Sequence, residues 1–382
     1  MAIRSWTLLG ADQSSAETLS VDSRVAGGDG PGWRVERRTL HAGLSQGVDV
    51  VEIETQRLRL IVVPTRGMGL WRAWFDGFEL GWQSPVHGPV HPSFVPLSDP
   101  SGLGWLDGFD ELACRCGLEN LGAPEHDERG QLRFALHGRI ANRPARQVEL
   151  VVDDEAGTIS LHGIVEESRY HFQKLRLHTT YTVRLDATEI RWHDEVENFG
   201  GTAARLQMLY HINIGRPHLA AGAKLVAPIK ELRPGSRSST GDAARNWANY
   251  DGPTPGYQEQ VFQTTLLSDD GGDSLVLLED PSGQRAVKLE FNVNQLPHFT
   301  LWKNSVAEAD GYVTGLEPGT CYPNQRSAEE AAGRVMTLQP GERWQAAVSL
   351  DVLTDQAAIQ TSEQTIAALQ ASCEPTMHLE MA

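Results

Sequence analysis

The chain is poor in cysteine, in positive charge relative to negative, and in long apolar runs, and each shortage removes a class of function. Four cysteines, Cys114, Cys116, Cys321 and Cys373, occur in 382 residues. They are too few and too irregularly spaced for a disulfide framework. The stretch from Met1 to Gln13 lacks the apolar core of a secretion signal, so a cytoplasmic location is expected. No run approaches the roughly 18 apolar residues of a spanning helix, and no membrane role is expected. Lys and Arg number 33 against 50 Asp and Glu, a formal net charge of −17. Such a surface repels phosphate backbones and anionic lipid, which argues against nucleic acid as a partner.

What is plentiful points to β structure. With 37 Gly and 20 Pro, the sequence suits many short elements joined by turns better than a helical bundle. Hydrophobic residues make up 40% of the chain, enough for a sizeable core. Ten Trp are available as core blocks or as flat platforms for a sugar ring. Thr188 to Asn198 shows the clearest period of two: Ile190, Trp192, Asp194 and Val196 share one face, apolar except for Asp194. Val48 to Glu54 and Arg57 to Val63 read as a hairpin after a Gly-rich lead from Ser20 to Gly32. Further strands are expected at 147–152, 158–165, 172–183, 203–211, 274–278, 286–292, 299–302 and 344–353. Turn signals such as Asp76-Gly77 and Pro340-Gly341 separate several of them. Pro85 to Gly130 reads as a long ordered loop, and Asp355 to Ala371 as a short surface helix. The simplest architecture is one large antiparallel β-sandwich.

Three segments place an ionisable group beside flexible backbone where strands meet loops: Leu136 to Asn142, Leu209 to Gly215, and Gly315 to Gly319. His137 and His211 can exchange protons near neutral pH, and a carboxylate such as Glu317 can be raised toward that range in a desolvated cleft. The bland alternatives are a hydrogen-bonded structural histidine and a solvated turn carboxylate.

In this order, Leu136-His137-Gly138, Val196-Glu197-Asn198, His211 and Leu316-Glu317 resemble the landmarks of the galactose mutarotase (aldose 1-epimerase) superfamily. Pro64-Thr65-Arg66-Gly67-Met68 is a further phrase of a bacterial branch, and the resemblance covers about residues 45 to 353. It implies an all-β, antiparallel β-supersandwich with a few short helices. The expected layout is a lead at 1–44 packing on the sandwich, a catalytic domain at 45–353 and a C-terminal helix and tail at 354–382. The implied activity is an isomerase interconverting sugar anomers by acid/base ring opening. Glu317 and His211 would be catalytic, while Arg66, His137, Arg139 and Trp302 would bind substrate. Arg139 would hold hydroxyls or an anionic substituent. No cofactor and no metal are implied; the partner is a small sugar, and the chain would be a monomer or homodimer. The galactose enzymes also carry an N-terminal Asn-Arg pair and a substrate-binding Asp, for which this sequence has no clear equivalent. Asp242 and Asp251 lie in the right interval, in loop-like sequence. Free or substituted sugar, and which sugar, stay open, as does a related sugar isomerase chemistry.

Two rivals remain. His87 and His91, near Glu125-His126 and Cys114-Arg115-Cys116, suggest a metal site, but Gly88, Pro89 and Pro92 forbid the helix that an i, i+4 ligand pair needs. A noncatalytic carbohydrate-binding protein would keep aromatic platforms but have no use for both His211 and Glu317. Cys114 and Cys116 lack redox spacing and read as reduced thiols, and Gly102-Leu103-Gly104 lacks the features of a phosphate loop.

Overall fold

The computed structural model describes residues 3–10, 19–24 and 32–381. Of the lead read from Ser20 to Gly32, residues 25–31 lie outside the described residues. The chain forms two compact units, each assembled from separate segments. The first takes Met1–Glu79, Val86–Met208 and Pro323–Gln345; the second takes Leu80–Pro85, Leu209–Tyr322 and Ala346–Ala382. The division falls inside three strands, Phe78–Leu80, Ala204–Gly215 and Arg343–Leu353.

In the first unit, Ile3–Leu9, Ala145–Asp153, Thr158–Ser168, Lys174–Arg184 and Ile190–Asn198 lie side by side, all antiparallel. Their side chains alternate between buried and partly exposed, as in Lys174–Arg184, where Leu175, Leu177, Tyr181 and Val183 point inward. A second antiparallel series runs Leu19–Asp22, Arg34–Thr39, Asp49–Glu54, Leu58–Val63, Gly69–Phe75 and Ala113–Leu118. Arg115 of the last strand reaches Asp194, the charged residue on the buried face of Ile190–Asn198, which also carries Asn198 at its end. Its Nε donates to one carboxylate oxygen of Asp194, and its Nη2 donates to the other at 2.9 Å. Nη2 also reaches Thr179 Oγ1 at 2.7 Å, and Nη1 reaches the Met68 carbonyl at 3.0 Å. The buried Asp194 is thus matched by a bidentate cation that ties the two series together.

The second unit repeats the scheme. Ala204–Gly215, Val313–Gly319, His298–Asn304, Gln260–Leu266 and Ile229–Pro234 are neighbours in that order, all antiparallel. Another series runs Arg343–Leu353, Ala286–Asn292, Asp273–Glu279 and Lys224–Val226. The helix Gln356–Gln370 is capped by the Asp355 carboxylate, which accepts from Ala357 N–H at 3.3 Å. It packs Ile359 and Ile366 against Leu275, Leu277 and Ala286. No helix among the described residues is long and apolar enough to cross a membrane.

Two expectations need correction. The stretch from Pro85 to Gly130 is not one long loop: it contains the strand Ala113–Leu118, the short strand Glu125–His126 and two 3-10 turns. Neither His211 nor Glu317 sits at a flexible junction, because Leu209 to Gly215 and Gly315 to Gly319 are both strand. Both Ala113–Leu118 and Val313–Gly319 are buried along their whole length, so neither carries the alternation that marks a half-exposed strand.

Candidate active site

The site grows from the pairing of three strands in the second unit. Val313–Gly319 lies between Ala204–Gly215 and His298–Asn304, with Asn213 opposite Gly315 and Gly315 opposite Trp302. Facing residues of an antiparallel pair share a side of the sheet, and so do residues two apart. The register therefore places His211, Asn213, Gly315, Glu317, Thr300 and Trp302 on one side, with His211 beside Glu317.

Nε2 of His211 lies 3.3 Å from Oε1 of Glu317, and both side chains are almost fully buried, at 5% and 2% exposure. The contact is close but lacks hydrogen-bond alignment, and Oε1 has no hydrogen-bond partner. Burial pushes the Glu317 carboxyl well above the usual carboxylate range, and the negative charge of Glu259 raises it further. On the other edge of the imidazole, Nδ1 lies 2.7 Å from Asn213 Oδ1. An amide oxygen only accepts, so with this amide orientation Nδ1 carries the hydrogen and Nε2 is left to exchange a proton toward Glu317.

Trp302 meets the His211 ring edge-on, with centroids 5.5 Å apart and planes at 71°. Its Nε1 donates to Glu259 Oε2 at 2.8 Å, which anchors the indole. Gly315 leaves the space in which these groups meet. A Cβ built there would stand 2.4 Å from Glu317 Oε1 and 3.2 Å from both His211 Cε1 and Trp302 Cε3. The backbone is ordinary strand, so close approach is the reason for glycine here. A buried carboxyl with its pKa raised, set against an imidazole fixed in one tautomer, can serve as an acid/base pair.

Of the residues expected at a site, the second unit brings together His211, Glu317 and Trp302. Arg66, His137 and Arg139 belong to the first. Arg66 is fully buried and surrounded by protein acceptors: Nε on Glu111 at 2.6 Å, Nη1 on Asn142 at 2.6 Å, and Nη2 on the Gly108 carbonyl at 2.8 Å. That arrangement makes it a support for the loops around it. His137 packs against Trp105 with centroids 4.6 Å apart, and its Nδ1 lies 2.8 Å from the Leu121 carbonyl. Burial lowers its pKa to about 4, so the ring is neutral at pH 7. Arg139 is partly exposed and pairs with Glu119 at 3.2 Å.

Sequence reasoning missed three contributors. Asn213 and Gly315 each lie two residues from a proposed catalytic group on a strand, a spacing that puts them on its face and could have revealed them. Glu259 stands at the end of a loop with no pattern around it, and only the fold sets it beside Trp302. Asp242, by contrast, is exposed and paired with Arg245 at 2.7 Å. Of the groups suspected of binding metal, His91 bonds Ser93 Oγ at 2.8 Å and His126 the Pro100 carbonyl at 2.8 Å. Among the described residues no cluster of three or more His, Cys, Asp or Glu could hold a metal ion.

A family described as a domain of unknown function, DUF4432, matches residues 45–352. The chain belongs to this family. A crystal structure named a "putative aldose 1-epimerase", from Klebsiella pneumoniae, is 33% identical over 99% of both chains, with a TM-score of 0.95. A galactose mutarotase-like protein from Clostridium acetobutylicum has 13% identity, 84% and 98% coverage of this chain and its own, and a TM-score of 0.59. An aldose epimerase homologue from C. elegans has 13% identity, 80% and 99% coverage, and a TM-score of 0.51. At that identity the last two speak for the fold alone, which is the expected galactose mutarotase-like, antiparallel β-supersandwich. None of the curated proteins compared matches the chain.

Proposed function

We propose that the protein is a sugar isomerase of the aldose 1-epimerase type, with His211 and Glu317 as its proton-transfer pair. The observation that carries this reading is the 3.3 Å approach of His211 Nε2 to a buried, unpartnered oxygen of Glu317. In the ionised form of the pair, Glu317 takes the proton of the anomeric hydroxyl while His211 gives one to the ring oxygen. The C1–O bond of the ring breaks and the carbonyl forms, leaving a protonated carboxyl and a neutral imidazole. After rotation about the C1–C2 bond, both transfers reverse and the other anomer closes. No net proton is consumed, no redox change occurs, and both groups must work as acid and as base. A carboxyl raised well above the ordinary range by burial holds a proton more readily than an exposed one, as its turn as acid requires. Trp302, anchored by Glu259, is the proposed apolar wall against the ring.

Anomer exchange followed by polarimetry or NMR over a panel of aldoses tests the reading. Acceleration is expected for at least one sugar, and His211→Ala or Glu317→Ala should each lower turnover by about 10²-fold or more. Sugars that bind without accelerated exchange would establish a carbohydrate-binding protein instead.

A further inference from the structure

The first unit contains a cleft of about 480 Å³, within the size range of small-molecule sites, and the proton-transfer reading makes no use of it. Its lining includes Arg139, Arg169, Glu119, Asn120, Phe134 and Phe172. Two of its guanidiniums keep donors uncommitted. Arg139 meets Glu119 at 3.2 Å and Glu167 at 3.8 Å through one nitrogen, Nη2, while Nε and Nη1 have no acceptor among the described residues. Arg169 lies 4.1 Å over the Phe172 ring and has no carboxylate partner among the described residues. The position of Arg139 is fixed from below, because the buried Glu167 accepts from the N–H groups of Leu118 at 3.2 Å and Glu119 at 3.0 Å.

The same cleft offers the opposite polarity as well. Asn120 donates through Nδ2 to the Ala135 carbonyl at 2.8 Å, and its Oδ1 is buried without a partner. An orphaned acceptor of this kind is satisfied by a ligand hydroxyl. Phe134 and Phe172 add apolar surface suited to the C–H face of a ring. Three lining guanidiniums, counting Arg133, outnumber the two lining carboxylates, against a net charge of −17 for the chain. Guanidinium donors left over at a fixed position favour an anion, which they engage in a bidentate manner, over a neutral sugar.

We propose that this cleft binds a hydroxylated organic anion of sugar size, a sugar acid or sugar phosphate, with the anionic group on Arg139 and Arg169 and a hydroxyl on Asn120. The assignment does not depend on anomer exchange by His211 and Glu317, because it concerns binding and is read without turnover.

Titration calorimetry on the full chain at physiological ionic strength, with glucuronate, glucose 6-phosphate, glucose and inorganic phosphate, tests it. At least one of the two anionic sugars is expected to bind, at least about tenfold more tightly than glucose, and comparison of the two separates carboxylate from phosphate recognition. Arg139→Gln and Arg169→Gln should each weaken that binding by about tenfold or more, the loss of one charged hydrogen bond. Arg169 is exposed, so its variant remains informative if Arg139→Gln fails to fold. Glucose binding as tightly as the anions, no binding of either anion, or unchanged binding in a folded Arg169→Gln and Arg139→Gln would overturn the proposal. Inorganic phosphate binding as tightly as glucose 6-phosphate would overturn the hydroxyl contact to Asn120. Anionic-sugar binding without anomer exchange would uphold this site and sink the proposed function; the reverse result would do the opposite.

Discussion

His211 Nε2 and Glu317 Oε1 approach to 3.3 Å across two neighbouring strands, in a setting from which solvent is almost excluded. The raised pKa of Glu317 follows from that burial first and from Glu259 second. Its sign has a consequence for stability. A carboxyl whose folded pKa exceeds the ordinary 4.5 binds its proton more tightly when folded, so stability falls as pH rises from about 4.5 through the folded value. Glu317→Gln cannot ionise and should escape this loss. Denaturant unfolding of both proteins across acid to neutral pH is expected to show the variant gaining on the wild type as pH rises. Parallel curves would mean that the carboxyl titrates normally.

Asn213 holds the imidazole through the 2.7 Å contact to Nδ1, so it is a positioning residue for the proposed reaction. Asn213→Leu removes the acceptor at similar volume and should lower kcat by about 10- to 100-fold, the scale of lost supporting shells around a histidine. Asn213→Asp restores an acceptor and should recover part of the rate. Steady-state kinetics with KM little changed would fit this role; an equal loss in both variants would not.

Gly315→Ala places a methyl 2.4 Å from Glu317 Oε1. The carboxylate must move, and a displacement of about 1 Å in a reacting group costs on the order of 10²-fold in rate. Far-UV circular dichroism should be unchanged while turnover falls at least tenfold. Full activity would show that the clearance is not needed.

The Arg115–Asp194 pair sits in the core of the first unit, at 3% and 0% exposure. Breaking it leaves a buried charge, so Asp194→Asn or Arg115→Met should each cost about 3–5 kcal/mol. The double replacement Arg115→Met/Asp194→Leu should restore much of the loss, as apolar substitutes for buried ion pairs often do. Chemical denaturation measures both; a cost below about 1 kcal/mol for the single variants would contradict the assignment.

The amino-acid sequence by itself determined the strands with one wet face. Thr158–Ser168, Lys174–Arg184 and Ile190–Asn198 alternate because one side packs and the other meets water, and that periodicity is local. It also placed His211 and Glu317 in motifs of the right order, and Asp355 and its helix where they stand. Tertiary structure alone decided the rest. Val313–Gly319 is covered on both faces, so its pattern has no period to read, and its glycine and proline resemble a turn. The matching of Asp194 with Arg115, 79 residues away along the chain, depends on sheet pairing that no local signal encodes. Arg66 looked like a substrate ligand, but Glu111, Asn142 and Gly108 converge on it only after the chain has folded. The raised carboxyl of Glu317 has the same origin: a pKa is set by what excludes water and by which charges stand near, and both come from distant residues.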